Sequence, residues 1–240
     1  MLTEDRIIEE TVRIQGSKRV LEGNLAYPCE QASCSALIAG PHPFLGGDRN
    51  NNVVRSLSDA LASRGMVALS FDYGGVGGSE GGPENRPAAM SAFWKDGAFG
   101  EEESWVDDTG SAMASLRQWS GLPQVLMGYS FGCWSVAQNL PESRAAAVVL
   151  ISPNPGKHSF GRISSCRSPL LLVHSDNDFT CSVSEITDWF DSIRQPKTRI
   201  QLAASEHFFR GHEKELAGVV LGFLANHGLL PGADGREDND

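Results

Sequence analysis

The chain has 240 residues, a net charge of −10, 40% hydrophobic and 21% charged residues. That length suits a single α/β domain whose core needs no disulfide or metal staple. So acidic a chain, with no basic stripe, argues against a nucleic-acid partner. The cysteines Cys29, Cys34, Cys133, Cys166 and Cys181 form neither a C-x-x-C pair nor a zinc spacing with histidine, so reduced thiols are expected and no metal or cofactor. The acidic Met1–Asp5 segment lacks a signal-peptide apolar region, and no apolar run reaches the roughly 18 residues of a membrane span. The expectation is a cytoplasmic protein with no membrane partner; oligomeric state is left open.

Arg6 to Ile14 and Val20 to Tyr27 alternate apolar and polar residues around Gln15–Lys18, which predicts an antiparallel hairpin ending at Pro28. Ser35–Ala39 is apolar without alternation, as in a strand buried on both faces, and leads into Gly40-Pro41-His42-Pro43-Phe44-Leu45-Gly46-Gly47. Val53, Val54, Leu57, Ala60 and Leu61 recur at helical spacing, with Gly65 as the stop. Met66–Phe71 reads as another buried strand, closed by Asp72. The glycines from Gly74 to Gly82 match neither G-x-G-x-x-G nor a Walker loop, and read as a mobile turn.

Pro83 to Ser104 carries no periodic pattern but contains Phe93, Trp94 and Phe99, which suggests a lid-like insert at 83–104 over a pocket. A helix resumes at Trp105, with Thr109, Ala112, Met113, Leu116 and Trp119 on its face. Gln124–Met127 is a strand, Cys133–Leu140 a helix, Ala145–Ile151 and Leu170–Val173 further strands. Ser182 and Glu185 form a capping box before a helix, Thr198–Leu202 is the last strand, and Leu216–Leu224 marks the last helix. The organisation is thus one domain over 1–231 and a disordered acidic tail over 232–240. Its fold class is α/β: a mainly parallel eight-stranded sheet with an antiparallel N-terminal hairpin and helices on both faces. His42, Asp72, Ser130, Asp178 and His207 all follow strands and should gather at one edge of the sheet, where such sheets bind ligands.

Gly128-Tyr129-Ser130-Phe131-Gly132 lies between strand and helix, the context of a nucleophile elbow, in which small neighbours let the chain turn sharply beneath an exposed serine. A serine hydroxyl needs a base to take its proton and a third group to orient that base. His207 follows the strand after an acid-bearing loop, which makes it the base; His174, His158, His42 and His212 are read as packing or surface residues. The acid is Asp178 or Asp176, on the same loop. The oxyanion needs two N–H donors. Phe131 supplies one, and because Pro43 has no N–H, Phe44 supplies the other. His42, Tyr129, Phe93, Trp94 and Phe99 are candidate substrate-contacting residues.

These motifs, His42 through Gly47, Asp72 through Ser79, the Ser130 elbow, His174 through Asp178 and His207-Phe208-Phe209, resemble those of the α/β-hydrolase superfamily. Within it the chain is similar to small dienelactone-hydrolase-like and carboxylesterase-type enzymes. The resemblance favours Asp178 as the acid, because the family acid sits three residues after a glycine, a position held here by Ser175. It implies a serine hydrolase cleaving a small carboxylic ester or thioester through an acyl-enzyme. An acyltransferase or peptidase with the same triad, or a non-catalytic binding module, is the alternative. Two departures stand out: Gly74 replaces a family arginine, and the 83–104 insert is longer than usual. The segment from Ser152 to Arg167 is too short for a helical cap, so any lid falls to that insert.

Overall fold

The computed structural model describes residues 7–96, 100, 102–194 and 196–231; Arg6, Phe99 and the 232–240 tail lie outside the described residues. Eight strands form one sheet: β1 Ile7–Gln15, β2 Val20–Pro28, β3 Cys34–Ala39, β4 Met66–Phe71, β5 Gln124–Tyr129, β6 Ala147–Ile151, β7 Leu170–Asn177 and β8 Lys197–Glu206. Their spatial order is β1-β2-β4-β3-β5-β6-β7-β8. The β1–β2 and β2–β4 pairs are antiparallel, and every other pair is parallel. The parallel pairs run nearly flush, Ala39 opposite Gly128, Tyr129 opposite Ile151 and Ile151 opposite Val173, so the loops that follow these strands emerge side by side.

β3, β5 and β6 are buried along their whole length, which accounts for their unalternating apolar sequences. Odd and even positions serve different layers. Leu37, Leu126, Val148, Leu150 and Leu172 face one core, shared with helices α3 Glu102–Ser120, α4 Phe131–Asn139 and α5 Val183–Asp191. Ile38, Val125, Met127, Val149 and Val173 face the other, shared with α1 Asn52–Ala62 and α6 Glu213–Asn226. In α1 the buried Val53, Val54, Leu57 and Leu61 hold the helix down, each contributing roughly 1.5–3 kcal/mol by leaving water. Asn51 caps its start by accepting from the Val53 N–H, and the predicted Ser182–Glu185 capping box opens α5. Among the described residues no helix is long and apolar enough to cross a membrane.

Three sequence expectations are corrected here. The patternless stretch contains a helix, α2 Arg86–Asp96, whose apolar residues do not share a face; Phe93 is its buried anchor. α3 starts at Glu102, one turn earlier than Trp105 suggests, and that first glutamate is buried. The glycine-rich turn is tied down: the Glu80 N–H donates to the Val20 carbonyl, the Ser79 hydroxyl to the Asp72 carbonyl, and the Glu22 N–H to the Ser79 oxygen.

Gly74, the departure from the family pattern, has a local cause. Arg19 of the hairpin turn lies where a side chain at position 74 would go, and forms a bidentate pair with Asp108 of α3 at 2.8 and 2.9 Å. Asp108 also accepts from the Gly74 N–H at 2.8 Å. Asp72 finds its cation elsewhere, in Arg49, through the Arg49 side chain at 2.7 Å and backbone N–H at 2.8 Å.

Candidate active site

Ser130 directly follows β5 and precedes the first residue of α4. Its backbone sits at φ 55°, ψ −116°, a region that costs a non-glycine residue on the order of 1–3 kcal/mol. The neighbours make this turn feasible. A Cβ on Gly128 would collide with the backbone of Gly132 and Cys133, and one on Gly132 would collide with the Ala39 carbonyl at the end of β3. The turn is pinned by the Ser130 N–H donating to the Ile151 carbonyl at 2.8 Å and by the buried Cys133 thiol, which contacts the carbonyls of Gly128 and Ile151.

His207 lies in the turn after β8, its side chain only 6% exposed. Its Nε2 is 3.0 Å from Ser130 Oγ, and its Nδ1 is 2.9 and 3.0 Å from the two carboxylate oxygens of Asp178. A carboxylate can only accept, so Nδ1 carries the proton and the Nε2 lone pair faces the serine hydroxyl. Asp178 is locked in turn by Thr180, whose N–H and hydroxyl donate to Oδ1 at 2.8 and 2.7 Å. Burial alone would raise the Asp178 carboxyl; the hydrogen bond and charge of His207, with Thr180, outweigh it and hold the group below its usual value. Asp176 stands two residues earlier at the exposed end of β7. His174 is buried within β7, and His212 pairs with Glu215 at the start of α6.

Phe131 opens α4, so its N–H has no carbonyl four residues back within the helix. The Phe44 N–H donates to Nδ1 of His42 at 3.1 Å. His42 is 2% exposed, stacked on Phe93 with ring centroids 4.3 Å apart and met edge-on by Trp105 and Phe131. Its Nε2 is 3.2 Å from one oxygen of Glu102, whose second oxygen is 3.1 Å from Nε2 of His158. Lys157 Nζ lies 3.8 Å from the same carboxylate and 4.8 Å from the Phe93 ring centre. Burial lowers the His42 imidazole below its usual value, against the pull of Glu102. At Glu102 burial acts upward, but His158, His42 and Lys157 together hold the carboxylate far below its usual range.

The side chains expected at or near the site thus fall into three groups. Ser130, Asp178 and His207 form one hydrogen-bonded chain. His42 and Tyr129 are both buried, His42 against Phe131 and Tyr129 against His207, whose carbonyl accepts from the Tyr129 hydroxyl at 2.9 Å. On α2, Phe93 is buried against His42, whereas Trp94 is 65% exposed. Thr180, Glu102 and His158 escape a reading of the sequence. Thr180 needed only its place two residues after the acid, but Glu102 is 60 residues from His42 and 56 from His158. Phe179, 70% exposed, leans over His207 with ring centroids 5.3 Å apart. A cavity of about 830 Å³ is lined by Lys157, His158, Phe160, Trp189 and Arg194, and includes none of the three hydrogen-bonded residues.

No protein-family model matches the sequence. An uncharacterized protein of Rickettsia prowazekii (strain Madrid E) is 26% identical over 225 residues, covering 89% of this chain and 87% of that protein. A solved α/β serine hydrolase of Xanthomonas campestris, described as lacking a lid, is similar at a TM-score of 0.79 and 20% identity, over 97% of this chain and 98% of that one. A dienelactone hydrolase of Anabaena variabilis reaches a TM-score of 0.73 at 16% identity, over 92% and 98% respectively. The chain has the α/β-hydrolase fold, which it shares with these solved structures.

Proposed function

We propose that the protein is a serine hydrolase of small carboxylic esters or thioesters, with Ser130 as nucleophile, His207 as general base and acid, and Asp178 as the group that orients His207. The hydrogen-bonded chain from Asp178 through His207 to Ser130 is the observation that carries this reading. Ser130 Oγ attacks the substrate carbonyl carbon as its proton passes to His207 Nε2. The resulting oxyanion is stabilised by the N–H groups of Phe131 and Phe44. His207 then protonates the departing alcohol or thiol, leaving the acyl group on Ser130. Water attacks that ester, giving its proton to His207, and the carboxylic acid leaves as Ser130 is reprotonated.

Residues 1–231 act as one domain in this reading, with the 83–104 segment walling the site through Phe93 and Trp94. The partner is a small molecule, and the composition fits a cytoplasmic setting. The test is labelling by a fluorophosphonate probe together with hydrolysis of p-nitrophenyl acetate. Wild-type protein should do both, and Ser130→Ala should lose labelling and several powers of ten in kcat. Wild-type protein that neither reacts with the probe nor hydrolyses the ester overturns the assignment.

A further inference from the structure

In contact with Phe44 and Phe131, the proposed oxyanion donors, lies a second constellation that the triad does not use: His42, Glu102 and His158, with Lys157 at its edge. A buried carboxylate is costly unless it is well partnered, and here each oxygen receives a separate imidazole N–H. The protonation pattern follows from donor and acceptor arithmetic. A backbone N–H can only donate, so Nδ1 of His42, which meets the Phe44 N–H, must be the unprotonated nitrogen. Its proton is therefore on Nε2, directed at Glu102. Trp134 stacks on His158 with centroids 4.6 Å apart, and Phe93, Trp105 and Phe131 enclose His42, so neither ring can turn without disturbing the wall of the site.

We propose that Glu102 is a positioning residue of the reaction: by fixing the tautomer and orientation of His42, it keeps the Phe44 N–H occupied by a neutral acceptor until negative charge develops on the substrate oxygen. The proposal rests on the serine-hydrolase reading above. A neutral substrate carbonyl gains little by displacing an imidazole nitrogen from that N–H. An oxyanion gains more, because charge-assisted hydrogen bonds are roughly twice as strong as neutral ones. The exchange therefore favours the transition state over bound substrate, the differential that raises kcat without tightening KM. Glutamine at 102 cannot perform this role. Its single amide oxygen can accept from only one of the two imidazoles and carries no charge, so the carboxylate that selects the Nε2–H form of His42 is lost; His42 is then free to turn or change tautomer, which presents N–H to N–H at Phe44.

The experiment compares wild type and Glu102→Gln. Each is titrated with the fluorophosphonate to count active sites, assayed on p-nitrophenyl acetate, and checked by thermal unfolding. Glu102→Gln should lose about ten- to a hundredfold in kcat per active site, short of the loss of a whole oxyanion donor, with KM changed less than about threefold. Imidazole ¹⁵N shifts of the wild type should report His42 as the Nε2–H tautomer, a signature independent of how well any variant folds. Unchanged kcat per active site in folded Glu102→Gln, or a wild-type His42 protonated at Nδ1, overturns the proposal. If wild type itself fails to label, the hydrolase reading falls; if it labels and Glu102→Gln behaves as wild type, only this inference does.

Discussion

The Tyr129 hydroxyl donates to the carbonyl oxygen of His207 at 2.9 Å, joining the strand that presents Ser130 to the turn that presents its imidazole. Both groups are buried, so the bond fixes the height of His207 relative to the serine. Tyr129→Phe keeps the ring packing and deletes only the donor. The stranded carbonyl should cost about 1–3 kcal/mol of stability in urea unfolding. With His207 as the proposed base, kcat for p-nitrophenyl acetate should drop several-fold while KM stays close to wild type, because small misplacements of a catalytic group act on the chemical step. A variant equal to wild type in both measurements would show that His207 is held by other contacts.

The two aspartates of the acid loop give a sharper contrast. Asp178 receives Nδ1 of His207 and both donors of Thr180, whereas Asp176 stands at the exposed end of β7. Asp178→Asn puts an amide where a carboxylate selects the Nδ1–H tautomer, and by the behaviour of other triads should lose on the order of 10⁴ in kcat. Asp176→Asn should stay within a few-fold. Steady-state kinetics on folded protein decide between them, and the opposite ranking would move the acid to Asp176.

The central strands and the chain order of Ser130, Asp178 and His207 were legible because they depend on local signals. Unalternating apolar runs mark β3, β5 and β6, and the elbow declares itself through Gly128 and Gly132 on either side of Ser130. Boundaries were less legible: β7 continues to Asn177 and β8 to Glu206, because polar residues at strand ends keep pairing after apolar patterning stops. α2 was invisible for a different reason. It is anchored chiefly through Phe93, and one buried aromatic creates no periodicity. The Glu102 cluster is hidden altogether, since its partners come from the loop after β3, from α3 and from the loop after β6, and only the assembled fold brings them together. Phe44 can be singled out from the missing N–H of Pro43, but that His42 already accepts from its N–H is a fact of three dimensions.

The elbow glycines should be far less tolerant than glycines elsewhere. In Gly132→Ala the new methyl group would overlap the Ala39 carbonyl, and backbone cannot give way as a flexible side chain can. Displacing β3 from α4 should cost about 3 kcal/mol or more and disturb both proposed oxyanion donors, through the mechanisms that make overpacked cores fail. A methyl group added at Gly218, in the middle of α6, would meet nothing within 4 Å. Gly218→Ala should therefore stabilise the protein by about 0.4–1 kcal/mol, from better helix propensity and a more restricted unfolded chain. Chemical denaturation of the two variants beside wild type checks both signs; a stable, active Gly132→Ala would show that the elbow can relax.

The buried titratable groups also set the direction in which stability depends on pH. His42 faces Glu102 of α3 and Lys157 and His158 of the loop after β6, and burial depresses its imidazole, as it does that of His174 in β7. When a histidine is depressed on folding, the unfolded chain binds the proton first. Its contribution is therefore complete above about pH 6.5 and declines as pH falls toward the folded value. Asp178 and Glu102 are depressed too, so their contributions are present above about pH 4–4.5 and vanish only as pH drops through their folded values. These four groups should therefore make stability fall in two stages on acidification, the first beginning near pH 6.5 and the second below about pH 4, while the carboxyls of Asp72 and Asp108, raised by burial, act in the opposite sense just above about pH 4. Each histidine proton can add a slope of at most about 1.4 kcal/mol per pH unit in the first stage. His42→Asn should flatten that stage by one proton's share and leave the histidine in β7 to supply the remainder. Urea unfolding from about pH 8 to about pH 3 measures both stages. A wild-type curve level from about pH 7 to about pH 5 would mean that His42 takes up its proton in the folded protein as readily as in the unfolded chain.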